Sequence, residues 1–127
     1  MAVSEVLLSQ AVSVIASVRG AWMDAGTLAD DVILLAYVWP DDDEFKQAVS
    51  SVRRALTLLV TNRVEGTELK YGLAGWRSYH FHHHRCQSAR ADMRIIYRRV
   101  PEGIQIKGFG NRPLPFDIDE RLAQLGS

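Results

Sequence analysis

The chain is poor in the residues that would tie it to an oxidising compartment or a membrane. Cys86 is its single cysteine, so no internal disulfide can form and no staple supports the fold. The amino-terminal MAVSEVLLSQ lacks a basic segment, and serines interrupt its apolar residues. Neither a signal peptide nor a membrane span is expected, which makes the cytoplasm the expected compartment. Internal repeats and low-complexity tracts are absent. Net charge is also absent, with 15 Lys and Arg against 15 Asp and Glu. A chain of 127 residues, 47% hydrophobic and 24% charged, can bury a core of its own as one domain.

The zero net charge hides a segregation. Residues 1–50 hold Arg19 and Lys46 against eight acids, a net of −6, whereas residues 51–127 hold thirteen cations against seven acids, a net of +6. The domain 1–127 thus divides into a mostly helical, acidic part (1–62) and a sheet-forming, basic part (63–127). A basic half on a neutral chain is the mark of one surface turned to a polyanion.

Leu7, Leu8, Ala11, Ile15, Val18 and Trp22 recur at three- and four-residue spacing, which predicts a helix from about Ser4 to Met23. Gly26 suits its left-handed end, and Thr27, with Asp30 three residues on, suits the next N-cap. Leu28 to Trp39 is read as a buried helix from that cap, although its β-branched and aromatic content also suits a strand. Pro40 breaks the chain. The acids Asp41 to Glu44 are read as an N-cap and first turn, where the helix dipole favours negative charge, rather than as a metal site. Phe45, Val49, Val52, Leu56 and Leu59 mark the apolar stripe of a helix to about Thr61. Arg63 to Gly75 reads as a loop and Trp76 to His82 as a strand. Met93 to Val100 and Ile104 to Lys107 read as a hairpin turning at Pro101-Glu102-Gly103. After Pro113 and Pro115, Asp117 to Leu125 reads as a short terminal helix.

Two features can carry chemistry. His80, His82, His83 and His84 crowd the run YHFHHHRC, and imidazoles move protons near neutral pH. With Cys86 they also offer zinc-type donors, but their spacing matches no closed structural site, so no metal and no other cofactor is expected. Arg77, Arg94 and Arg112 lie on three strands that the hairpin would place side by side. On one face of the sheet they could hold phosphate oxygens bidentately. Arg85 and Arg90 flank the histidines and could bind further phosphates.

The run Asp92-Met93-Arg94-Ile95-Ile96-Tyr97-Arg98, followed by a strand that ends in Gly110-Asn111-Arg112, resembles the carboxy-terminal half of the RelE/ParE superfamily of bacterial toxins. The likeness spans about Leu56 to Leu122. It implies an α+β fold in which amino-terminal helices pack on a small, mainly antiparallel sheet of three or four strands. It also implies a metal-independent endoribonuclease that cleaves mRNA, at the ribosome, and is neutralised by a cognate antitoxin. Arg94 looks like the arginine of the family's penultimate strand pair. Arg112 looks like the arginine of its closing Gly-Lys-Arg, with Asn111 in place of the lysine. Arg77 and Tyr79 fall where RelE-type toxins carry basic residues. A tyrosine or histidine that many members place after the last strand is replaced here by Leu114-Pro115-Phe116-Asp117, which either leaves acid–base duty to the histidine run, His80 and His82 first, or leaves the protein inactive as a nuclease. Tyr79, Arg85, Arg90 and Lys107 complete the expected RNA-contacting set. Two alternatives follow from the same residues: a non-enzymatic, ParE-like toxin, or a small interaction module whose acidic helical half docks a partner.

Overall fold

Each of the three helices among the described residues starts on a side-chain cap. Ser4 Oγ accepts the Leu7 N–H at 3.2 Å ahead of α1 (Glu5–Ala16). Asp24 accepts that of Thr27 at 2.9 Å ahead of α2 (Ala25–Val38), and Asp41 that of Glu44 at 3.1 Å ahead of α3 (Asp42–Val60). Such caps satisfy amides that have no partner within the helix. The computed structural model describes residues 3–83 and 92–111. The remaining elements are β1 (Ala21–Met23), β2 (Thr67–Glu68), a 3-10 turn at Tyr71–Leu73, β3 (Arg77–Phe81), β4 (Met93–Val100) and β5 (Gly103–Asn111). The fold is α+β: three amino-terminal helices pack on a five-stranded, mixed and mostly antiparallel sheet of order β1-β5-β4-β3-β2.

Two expectations change at the amino end. The first helix stops at Ala16 rather than Met23, because Gly20 turns the chain with φ +83° and residues 21–23 find a better partner in β5. Ala21 pairs in parallel with Ile104, and Met23 with Ile106. Val18 and Trp22 match the helical period by coincidence. The α2 cap is Asp24, three residues before Thr27, and Gly26 lies inside the first turn. The helix reading of the next stretch is the one observed, with Leu28, Val32, Leu35 and Ala36 buried at helical spacing.

The α3 stripe is observed as read: Phe45, Val49, Val52, Leu56 and Leu59 are all buried. This helix has no cation in its own last turn. Arg99 of β4 supplies one from the sheet, donating to the Leu59 carbonyl at 2.9 Å and the Val64 carbonyl at 3.2 Å.

β4 and β5 form the expected hairpin, closed at Val100↔Gly103. Its register shifts where Ile96 pairs with Gly108 and Tyr97 with Ile106, so Lys107 is the extra residue of a bulge. Arg94 and Lys107 therefore lie on paired strands, as the hairpin requires. The sheet has five strands instead of three or four because two short edge strands, β1 and β2, carry no periodic signal of their own. Met93, Ile95, Tyr97 and Arg99 alternate toward the helices; Arg94, Ile96 and Arg98 point away. Over Met93–Tyr97 the strand is buried on both faces. The expected helix at Asp117 to Leu125 lies outside the described residues. No helix among the described residues is long and apolar enough to cross a membrane.

Candidate nucleic-acid interface

Strand parity decides which candidate residues meet. Arg77 pairs with Tyr97, and His80, three residues on, pairs with Arg94. Three steps along a strand reverse the face, so Arg77 and Arg94 lie on opposite sides of the sheet. The expected convergence of these two arginines does not form. Arg77 instead donates from Nη1 to the Gly66 carbonyl at 2.9 Å and from Nη2 to Glu68 at 3.3 Å. Glu65 forms ion pairs with both Arg77 (3.9 Å) and Arg99 (3.7 Å), so Arg77 fastens the α3–β3 connection to the sheet. Tyr79 shares its side: its ring stacks on Phe81 with centroids 6.0 Å apart, away from the face of Arg94.

The face turned from the helices brings others together. His80 is exposed and stands directly across from Arg94. Arg94 was expected to meet solvent and phosphate, yet it is only 7% exposed, because the middle of β4 is covered on both sides. Four residues along the same strand, Arg98 lies 4.7 Å from the centre of the Trp76 ring. Lys107, turned out by the bulge, lies 4.9 Å from the same ring. Both distances fall within cation–π range. Arg98 also donates from Nε to Gln105 Oε1 at 2.8 Å, which fixes its guanidinium. Partial burial, and then the positive Arg98 beside it, hold the Lys107 ammonium below the ordinary lysine value. Of this cluster only Lys107 was singled out in the sequence. Arg98 was legible too, since it shares the parity of Arg94; Trp76 joins only through the packing.

His83 belongs to a different arrangement. Its ring stacks on Trp39 with centroids 4.2 Å apart, and its Nδ1 shares a short hydrogen bond with Asp92 Oδ2. The His83 N–H donates to Asp92 Oδ1 at 2.8 Å, and Ser51 Oγ donates to the His83 carbonyl at 2.8 Å. One histidine of the run thus joins the end of β3 to α2, to α3 and to the start of β4. His82 follows β3, half-buried. His84, Arg85, Cys86, Arg90 and Arg112 lie outside the described residues. Among the described residues no group of three His, Cys, Asp or Glu side chains is placed to hold a metal ion.

No family model, curated protein or solved structure matches this chain. A guanidinium and an ammonium beside an indole can hold a phosphodiester and present an aromatic surface to a base. An imidazole across from a second guanidinium can exchange a proton beside a bound phosphate.

Proposed function

We propose that this protein is an RNA-directed toxin of the RelE/ParE type, a metal-independent endoribonuclease that cleaves mRNA at the ribosome and is restrained by an antitoxin. The observation that carries the reading is one sheet face on which His80 stands across from Arg94 and, farther along, Trp76 is flanked by Arg98 and Lys107. In the proposed reaction His80 takes the proton of a ribose 2′-hydroxyl, whose oxygen attacks the adjacent phosphorus. Arg94 opposes the negative charge that builds on the phosphate, and Arg98, about 13 Å along the strand, holds the RNA backbone beside it. His82 returns a proton to the leaving 5′-oxygen, and a 2′,3′-cyclic phosphate remains.

The burial of Arg94 favours a second reading, a ParE-like toxin that acts by binding a protein target without cutting RNA. Induced expression in a bacterial host, with the RNA analysed alongside, separates the two. We expect growth arrest with cleaved mRNA. His80→Ala should lower cleavage by roughly 10²–10⁴-fold while the protein stays folded, as its side chain is exposed. Arrest without cleavage selects the ParE-like reading, and a wild-type chain that neither slows growth nor cuts RNA ends both.

A further inference from the structure

On the far side of the molecule from that face, α1 and α3 leave an apolar groove of about 250 Å³. Leu7, Ala11 and Val14 of α1 recur at four- and three-residue spacing along one wall. Phe45 and Val49 of α3 are buried beneath it, while Val14 remains 38% exposed. Lys46 and Arg53 stand on the rim, both exposed. They lie seven residues apart on α3, about 10 Å along its axis, so they share one side of the helix. Among the described residues neither forms an ion pair.

The placement of these cations is informative. Residues 1–50 contain only Arg19 and Lys46 as cations, against eight acids. One of this pair and the next cation in the chain, Arg53, both border the same groove. The groove is shorter in volume than most small-molecule pockets, which run from roughly 300 Å³ upward, but it has room for inserted apolar side chains. Lined by two helices, it is of the form that accepts a third helix by its apolar stripe.

We infer that this groove docks an amphipathic helix of a partner protein that carries two carboxylates, two turns apart, beside its apolar stripe. Lys46 and Arg53 would meet the carboxylates, selecting acidic helices over basic ones and setting the register of the stripe. The proposal is independent of RNA cleavage, since the groove shares no residue with the sheet face.

The test uses the full chain and a fluorescein-labelled synthetic helix of about 18 residues, long enough to be helical in water. Its leucines follow the helical stripe, and two glutamates stand seven residues apart beside it. A second peptide carries lysines in place of those glutamates. Fluorescence anisotropy should show micromolar binding of the glutamate peptide and at least roughly tenfold weaker binding of the lysine peptide. Lys46→Glu together with Arg53→Glu should reverse that order, with the far-ultraviolet circular dichroism unchanged. If that variant unfolds, Lys46→Gln with Arg53→Gln should abolish the preference instead. Equal binding of both peptides, or binding of neither, overturns the proposal. So does a wild-type dimer that these substitutions dissolve, because the groove would then hold a second copy of the chain.

Discussion

Tyr97 carries more of the fold than its place in a strand suggests. The residue is fully buried, and its hydroxyl accepts the Gly66 N–H at 2.7 Å, which ties the end of the α3–β2 connection to the middle of the sheet. Tyr97→Phe keeps the ring but removes the partner of that half-buried amide, a loss of about 0.5–1.5 kcal/mol. Urea unfolding should show this as a lower midpoint with an unchanged slope. A midpoint equal to that of wild type would mean that the hydroxyl contributes nothing. Asp31 makes a similar link farther across the sheet, where its buried carboxylate accepts the Phe109 N–H at 3.0 Å and joins α2 to β5. Both residues were visible in the sequence only as members of an apolar or acidic run. Their roles are long-range, across 31 and 78 residues of chain respectively.

Among the elements, β1 depends most on one position. Gly103 starts β5 with φ +146°, and a Cβ there would come within 2.0 Å of the Gly20 carbonyl oxygen. That same oxygen accepts the Ile104 N–H at 2.7 Å, so the two glycines make the close approach that lets β1 pair with β5. Gly103→Ala should therefore destabilise the fold by at least about 1–3 kcal/mol and shift the amide resonances of Ala21–Met23. Gly72→Ala is the matched control: nothing lies within 4 Å of its would-be Cβ, and its effect should stay within about 0.5 kcal/mol. Equal effects at the two sites would show that β1 does not rest on this contact. The hairpin, in contrast, is specified locally by alternation and turn residues.

For the whole molecule, the decisive property is where charge is displayed. Two cations of the carboxy-terminal half, Arg77 and Arg99, turn toward the helices and share Glu65. Arg98 and Lys107 remain for a polyanion on the opposite face. Binding to a single-stranded RNA should then weaken with salt, with a slope of log K on log salt near −0.7 for each phosphate neutralised. Lys107→Ala should flatten the slope by about that amount, whereas Lys46→Ala, on the groove between α1 and α3, should leave it unchanged. An RNA affinity that ignores salt would remove the sheet face from the function.

Local signals settled much of this architecture. The stripe of α3, its aspartate cap, the hairpin and the order of helices before strands follow from patterns a few residues long, which tertiary contacts here reinforce. The same patterns could not reveal β1 or β2, because strands of three and two residues exist only through the neighbours that pair with them. Nor could they sort the candidate site. Whether Arg77 meets Arg94 depends on the register of β3 against β4, and the exposure of Arg94 depends on what covers both faces of the central strand. His83 looked like any other member of its run until Trp39 and Asp92, 44 and 9 residues away, closed around it. The sequence by itself determined which residue types were on hand and where the strong local elements lay. Tertiary structure alone decided which of them share a face, because pairing register and burial are set by contacts far apart along the chain.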